Sequence, residues 1–230
     1  MSDGLLREQI TLPSGIQATV REMTGREEDL LSNEKHLKSH QALDLVLGNL
    51  IEELDGKKPN QEDIANMWSA DRTAVLLKSR QLTYGNLVRG DVKCANCKAE
   101  EHVEVDLAAI ENRPAPAAME RVVQVGDTAV TLRALRGRDE RNIAMSKSKD
   151  VFTTALLVRI VEIDGVPEVQ HRPWLQNLSL RLRDQLRREA AELDFGPDTS
   201  IEFTCPSCGH DNRADVMGLA GFFFPGMAQT

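Results

Sequence analysis

The sequence predicts an α+β fold that is a tandem duplication of one unit, in which a β-hairpin is followed by helices and a zinc knuckle. Three observations support this prediction. Landmarks of the first half recur in the same order about 111 residues later in the chain. Short β-rich runs around glycine turns alternate with segments of helical periodicity. The four cysteines form two CxxC pairs, one in each half, and we expect the two copies to pack about an approximate two-fold axis.

The recurrence divides the chain into a first repeat, residues 1–112, and a second repeat, residues 121–218. Residues 113–120 are predicted to be a linker, because the surrounding stretch ENRPAPAAMER is rich in proline and alanine. Residues 219–230 are predicted to form an aromatic C-terminal tail. Each repeat has about 100 residues, a common size for a folded domain.

Each repeat is predicted to open with a hairpin and to continue into a helix. The hairpin turns are expected at Ser14-Gly15 and at Gly126-Asp127, between short β-rich runs. Both copies then continue into Gly-Arg-acid-Glu, as GREE at residues 25–28 and as GRDE at residues 137–140. Acidic residues in a first turn favour a helix start.

The middle of each repeat has matching apolar and helical segments. The apolar runs that close on Asp-Gly span residues 42–56 and 155–165. The next segments have apolar residues at helical spacing and a tryptophan near the start, Trp68 in one copy and Trp174 in the other. Both segments end in an aromatic residue and a glycine, so Gly85 and Gly196 are predicted to stop helices.

Each repeat ends in a CxxC pair between two strand-like segments, which is typical of a zinc knuckle. Zinc takes four tetrahedral ligands, and one knuckle supplies two of them. We therefore predict one structural zinc that is shared by both repeats and held by four thiolates: Cys94, Cys97, Cys205 and Cys208. Such a site has no open position for water, so it would stabilise the fold without catalysing a reaction.

Other roles for the cysteines stay open at this level. The thiols could be reduced and free of metal, or each pair could form a separate site near a histidine, His102 or His210. A redox CxxC usually begins a helix after a strand, whereas these pairs have strand-like sequence on both sides. Disulfides are not expected, because the N-terminal segment has no basic region followed by an apolar stretch.

The composition argues against several classes of protein. A charged fraction of 28% and a hydrophobic fraction of 41% indicate a folded chain rather than a disordered one. No apolar run is long enough to predict a membrane span. A net charge of −8 argues against a protein that mainly binds nucleic-acid phosphates. The sequence has no P-loop, dinucleotide fingerprint or nucleophile motif, so neither an enzyme nor a small-molecule substrate is predicted.

Two further clusters are predicted to be ordinary solvent-facing helix surfaces. His36 and His40 stand four residues apart, but no third metal ligand is close in the sequence. Four arginines are interleaved with acidic residues, which is more typical of a salt-bridged face than of a phosphate site. These arginines are Arg181, Arg183, Arg187 and Arg188.

The C-terminal tail concentrates three of the six phenylalanines, Phe222, Phe223 and Phe224, beside glycines. Three adjacent aromatic side chains cannot all face one core from a regular strand, because neighbouring residues alternate faces. The tail is therefore predicted either to fill a groove of its own domain or to bind a neighbouring subunit.

Four segments carry a resemblance to a known family: LPSGIQATVREMTGREEDLL, SADRTAVLLKSRQLTYG, VKCANCKAEEHVEVDL and the closing FFFP. Through them most of the chain resembles the T-even phage baseplate protein family of contractile tails. The resemblance implies a non-enzymatic structural or assembly component of the baseplate hub in a contractile phage tail or a related injection particle. It implies contacts with other tail proteins, and a location in the virion or, during assembly, in the host cytoplasm. It also carries over the four cysteines as metal ligands and Phe222–Phe224 as a partner contact.

Two other functions compete with this one. A zinc-ribbon protein that binds nucleic acid or acts in regulation is the main alternative, although the knuckle flanks are acidic rather than basic and aromatic. An enzyme with a site assembled across the two repeats is the other alternative, and no residue pattern supports it.

Overall fold

A computed structural model describes residues 4–146 and 151–225 and confirms the predicted mixture of helices and strands. The described part of the first half contains five strands and five α-helices. In chain order they are β1 (Arg7–Thr11), β2 (Gln17–Arg21), α1 (Gly25–Ser32), α2 (Glu34–Lys38), α3 (Ala42–Leu50), β3 (Ile51–Leu54), α4 (Gln61–Asn66), α5 (Ser69–Tyr84), β4 (Leu87–Lys93) and β5 (Glu100–Asp106).

The second half is preceded by the two-residue strand β6 (Asn112–Arg113) and by residues 114–119, which form neither helix nor strand. Within the described residues, no helix has the length and apolar content to cross a bilayer. The remaining elements are β6 (Asn112–Arg113), β7 (Glu120–Val125), β8 (Thr128–Arg133), α6 (Gly137–Met145), α7 (Val151–Leu157), β9 (Ile160–Ile163), α8 (His171–Asn177), α9 (Leu180–Ala191), β10 (Gly196–Pro197), β11 (Ser200–Thr204), β12 (Asp211–Asp215) and α10 (Ala220–Phe223).

The strands form two three-stranded sheets and three two-stranded sheets, all antiparallel. The three-stranded sheets are ordered β1-β2-β3 and β7-β8-β9, and each contains one of the hairpins predicted from the glycine turns. Each also has a register shift in its middle strand, between Thr19 and Val20 in one sheet and between Thr131 and Leu132 in the other. The knuckle hairpins β4–β5 and β11–β12 are separate two-stranded sheets, and β6 pairs with β10.

Apolar residues form three buried clusters. The first cluster lies between the sheet β1-β2-β3 and helices α3 to α5, and the second lies between the sheet β7-β8-β9 and helices α7 to α9. The third cluster joins the halves beneath the knuckle hairpins, because it contains Val88 and Leu107 of the first half together with Val216, Leu219 and Phe222 of the second.

The two glycines predicted to stop helices behave differently. Gly85 is the C-cap of α5 with φ +80°, as predicted. The prediction for Gly196 is wrong, since α9 ends at Ala191 and a further turn brings the buried Leu193 into the second cluster. Gly196 has φ +84°, and a Cβ atom there would lie 2.6 Å from the Cβ of Ala70. It is therefore required by close packing against α5 rather than by a helix end.

The two tryptophans do not occupy equivalent places. Trp68 is the N-cap of α5, whereas Trp174 lies inside α8. In α9, the helix that corresponds to α5, the N-cap is Ser179. Leu178, directly before it, is the C-cap of α8. The match of Trp68 with Trp174 is therefore wrong, because it aligned residues on opposite sides of a helix boundary.

Candidate metal centre

The backbone of the first knuckle folds back on itself at its first cysteine. The N–H of Cys94 donates to the carbonyl of Ala99 at 2.9 Å, and the N–H of Lys98 donates to the carbonyl of Cys94 at 3.1 Å. Lys98 has φ +65°, in the left-handed region that a non-glycine residue rarely adopts. These bonds fix the turn between β4 and β5 and direct both sulfurs to one side.

The second knuckle repeats this geometry. The N–H of Cys205 donates to the carbonyl of His210 at 2.9 Å, and the N–H of Gly209 donates to the carbonyl of Cys205 at 2.8 Å. Gly209 has φ +70° and occupies the place of Lys98. A glycine adopts this conformation without strain, so the second turn is the less strained of the two.

The two turns face each other across the interface between the halves and bring all four sulfurs together. The Sγ atoms of Cys94 and Cys208 are 3.7 Å apart, and those of Cys97 and Cys205 are 3.6 Å apart. All four sulfurs lie within 4.8 Å of one another, and all four thiols are free. A tetrahedron of thiolates around zinc, with bonds of about 2.3 Å, has edges of about 3.8 Å. The arrangement therefore fits a four-coordinate metal and is too wide for disulfides, whose S–S length is about 2.05 Å.

One cysteine of each pair is buried and the other is exposed. Cys94 and Cys205 have no exposed surface, whereas Cys97 and Cys208 lie at the surface. A metal held here would lie at the edge of the interface between the halves. The fit of the site depends on both halves, because neither knuckle alone supplies more than two sulfurs.

A buried amide supports the cluster from the second half. Asn212, at the start of β12, donates from Nδ2 to the sulfur of Cys94 at 3.6 Å. Its Oδ1 accepts a hydrogen bond from the N–H of Ala95 at 2.8 Å, so one side chain holds the first knuckle against the second. The exposed Asn96 donates in the opposite direction, from Nδ2 to the sulfur of Cys208 at 3.7 Å. Neither asparagine was predicted to support the site, although Asn96 lies inside the first CxxC pair and Asn212 follows the second pair by four residues.

Backbone N–H groups favour ionised sulfur in this cluster. The N–H groups of Cys97 and Asn96 lower the pKa of Cys94 to about 6, and the N–H of His210 lowers the pKa of Cys208. Cys97 also faces a backbone N–H, that of Ala99, but the sulfurs that accept its proton raise its pKa to about 12. In the absence of metal the cluster therefore shares its protons unevenly, and the ionised thiolate is the form that binds a metal.

The histidines of the sequence analysis are not part of this cluster. His102 lies on β5, exposed, with Nδ1 3.0 Å from Asp91 Oδ1. His210 contributes its backbone carbonyl to the knuckle turn. The described parts of the chain contain no other group of three or more Cys, His, Asp or Glu side chains placed to hold a metal, so His36 and His40 gain no partner there. The geometry therefore favours one shared site over two separate ones.

The arginines of α9 match the predicted solvent-facing, salt-bridged surface only in part. Arg187 pairs with Asp184 one turn away. Arg183 donates to the carbonyl of Leu175 and to the hydroxyl of Thr153. The bonds of Arg183 tie α9 to α8 and α7, so this arginine serves packing within the second half rather than a surface ion pair.

The three C-terminal phenylalanines differ in their environment. Phe222 is fully buried in the third cluster, at the end of the short helix α10. Phe223 is partly buried, and its ring lies edge-on to that of Phe222 with centroids 4.7 Å apart. Phe224 is also partly exposed. Residues 226–230 of the predicted tail lie outside the described residues. The described part, residues 219–225, packs on its own chain through Phe222, whereas the predicted contact with a partner stays a prediction.

Each half contains an ion pair between an arginine and a buried carboxylate that was not predicted from the sequence. Arg21 and Glu27 form a two-pronged pair at 2.9 and 3.0 Å, and Arg133 and Asp139 form the same pair at 2.7 and 2.9 Å. Each carboxylate also accepts the backbone N–H of the N-cap residue of its helix. Both pairs have a spacing of six residues and recur 112 residues apart, a signal that is visible in the sequence.

Comparison with known proteins places the chain in a family. No curated protein and no solved structure gives a significant match. The sequence model of one family, described as T4 bacteriophage base plate protein, matches residues 7–224, which include both halves, both knuckles and the three phenylalanines. The chain therefore belongs to the T4 bacteriophage base plate protein family.

Proposed function

We propose that this protein is a non-enzymatic structural or assembly component of the baseplate hub in a contractile phage tail or a related injection particle, in which one zinc ion joins two repeats of the chain. Family membership supports the structural role in a phage baseplate and implies contacts with other baseplate or tail proteins in the virion. The main observation behind the shared metal site, which we call the zinc clip, is the convergence of four sulfurs from opposite halves.

The internal duplication is supported by features that recur at a nearly constant offset. Both halves contain a three-stranded sheet with the same order and the same register shift, and both contain the buried ion pair at the start of a helix. Both knuckles are followed by an aspartate that caps a 3₁₀ turn, Asp106 in one half and Asp215 in the other. Such a series is expected if one unit was copied and its core contacts were kept.

Zinc is the ion that this donor set favours. Four thiolates are soft ligands, and a tetrahedral all-sulfur site is typical of structural zinc. A closed site leaves no position for substrate or water, in agreement with a non-enzymatic role. The knuckles are more than one hundred residues apart in the chain, so the metal closes a long loop and its binding energy contributes to folding.

The decisive experiment combines metal analysis with analysis of particles. The purified chain should contain one zinc per molecule by elemental mass spectrometry, and a content of two or none would contradict the shared clip. Particles produced from the phage genes with a tagged copy of the chain should contain that copy if the chain is a structural component. If it acts only in assembly, particles should fail to assemble when its gene is deleted. Normal, infective particles assembled in its absence would overturn the baseplate role.

A gel-shift titration separates this proposal from the nucleic-acid alternative. The second strand of the first knuckle, β5, carries Glu100, Glu101 and Glu104, which would repel phosphates. The expected result is no mobility change for duplex or single-stranded nucleic acid at moderate salt. A salt-sensitive shift that is lost in variants of the knuckle loops would favour the zinc-ribbon alternative.

A further inference from the structure

A groove of about 480 Å³ separates the two knuckle hairpins. Its walls include β5 on one side and β11 on the other, and neither β4 nor β12 lines it. Each hairpin is a two-stranded sheet, so among the described residues β5 and β11 each have one edge without ladder hydrogen bonds. Because β4 pairs with the other edge of β5, and β12 with the other edge of β11, the groove lies along the unpaired edges of β5 and β11. We call it the inter-hairpin groove.

The floor of the inter-hairpin groove is apolar and has the periodicity of a strand. Val103 and Val105 alternate along β5, and Ile201 and Phe203 alternate along β11. All four pack against the third cluster but are only partly buried. Alternating half-exposed apolar residues beside an open strand edge are the features that bind an extended segment by strand addition.

The rim of the groove is acidic. Its lining contains five carboxylates and no lysine or arginine. Glu104 is paired with Arg89, and Asp198 is paired with Arg113. Within residues 4–146 and 151–225, the two rim carboxylates Glu111 and Glu202 form no ion pair. An occupant with positive side chains would complement them.

We propose that the inter-hairpin groove binds an extended segment of another baseplate protein, in which basic and apolar residues alternate. Its backbone pairs with the free edge of β5 or β11, its apolar side chains cover the floor, and its basic side chains meet Glu111 and Glu202. The inference rests on the proposed assembly role and adds the chemistry of the partner. Binding would also cover a strand edge that would otherwise be open to non-specific pairing.

The test uses the full-length chain with its metal content verified and a fluorescein-labelled peptide of alternating lysine and valine as the probe. Fluorescence anisotropy should detect binding that weakens as salt increases. The double variant Glu111→Lys, Glu202→Lys should lose affinity by about tenfold, as expected for reversing two rim charges. The control Glu53→Lys reverses the charge of an exposed residue of β3, outside the groove, and should leave the affinity unchanged.

A second peptide tests strand pairing separately from charge. Methylation of alternate backbone nitrogens removes the donors of one strand edge but keeps every side chain, so it should abolish binding. Equal affinity of the methylated peptide, of an analogue with glutamate in place of lysine, or of the double variant would overturn the proposal, and so would the absence of binding. None of these outcomes bears on the zinc clip, which metal analysis tests separately.

Discussion

The Nε atom of Arg72, in the first half, lies 3.0 Å from Oε2 of Glu140 in the second half, and the side chain of Arg72 is almost fully buried. The same guanidinium is 2.8 Å from Asp44 and donates to the carbonyl of Ile64. Asp44 in turn accepts a hydrogen bond from Arg141 of the second half. The halves are therefore joined by an ionic network that is independent of the cysteines.

Two backbone hydrogen bonds reinforce this joint. The N–H of Gly137 donates to the carbonyl of Met67 at 3.0 Å, and the N–H of Ser69 donates to the carbonyl of Leu135 at 2.9 Å. Arg136 stacks over the ring of Trp68, with its guanidinium carbon 4.3 Å from the ring centroid. Removal of a metal should consequently loosen the interface at the knuckles but leave the halves in contact.

The substitution Gly137→Ala tests the ionic joint. A Cβ atom at this position would lie 2.4 Å from the Nη1 atom of Arg72, so it must displace the guanidinium from its partners. Chemical denaturation should show a loss of about 2 kcal/mol in the free energy of unfolding. The matched control is Gly25→Ala, since Gly25 also begins a helix but has open space around the new Cβ. Similar stabilities of the two variants would show that Arg72 adapts without cost.

The substitution Cys205→Ser tests whether the knuckles act as one site. A shared ion loses one of four ligands, so the zinc content of the variant should fall well below one per chain and its melting temperature should decrease. Hydrogen exchange should accelerate in β4 and β5 as well as in β11 and β12, because both knuckles lose the ion. The control Ser207→Ala changes an exposed residue inside the same CxxC loop. Faster exchange confined to the second knuckle would contradict the shared site.

The sequence was informative where a local pattern determines the structure. The glycine turns predicted both hairpins, and GREE and GRDE predicted the starts of α1 and α6, since turn and capping signals act over a few residues. The two CxxC pairs also identified the four sulfurs that converge. Local spacing predicted two ligands at a time, and only the internal repeat indicated that the pairs should meet.

The sequence was less informative where the structure depends on contacts between distant segments. Gly196 faces Ala70 from more than one hundred residues away, so the reason for this glycine is a contact that no local pattern encodes. The burial of Phe222 depends on a core built from both halves. The ion pair of Arg21 with Glu27 could have been predicted from the sequence, because the same spacing recurs in the second half. It was not, because charged residues are usually assigned to the surface.

The pair of Arg21 with Glu27 predicts a specific dependence of stability on pH. Burial of Glu27 raises its pKa, but hydrogen bonds from Arg21 and Thr24 outweigh this effect and leave the pKa below its ordinary value of 4.5. A carboxyl group whose pKa is lower in the folded state stabilises the fold above its ordinary pKa, and this contribution is lost as the pH falls through the folded pKa. The free energy of unfolding should therefore decrease as the pH falls below about 4.5.

The variant Glu27→Gln isolates this contribution. It should be less stable at neutral pH by about 3 kcal/mol, because Arg21 is left buried without its charged partner. The difference from the unmodified chain should shrink as the pH falls, and urea titrations from neutral to acid pH measure it. Glu28→Gln is the control, since Glu28 is exposed on the same helix. A constant difference at every pH would show that packing, rather than ionisation, explains the loss.

The two ends of the phenylalanine run should have separable roles. Phe222 fills the third cluster, so Phe222→Ala should cost about 3 to 5 kcal/mol of stability through loss of buried surface and the cavity that remains. Phe224 is partly exposed, and we propose that it contacts a neighbouring subunit, where aromatic side chains often contribute most of the binding energy. Phe224→Ala should then leave the melting temperature of the isolated chain within a few degrees but reduce its incorporation into particles, measured by quantitative mass spectrometry of purified particles. Normal incorporation of the Phe224 variant, or a loss of stability as large as that of Phe222→Ala, would mean that the whole run serves only the packing of its own chain.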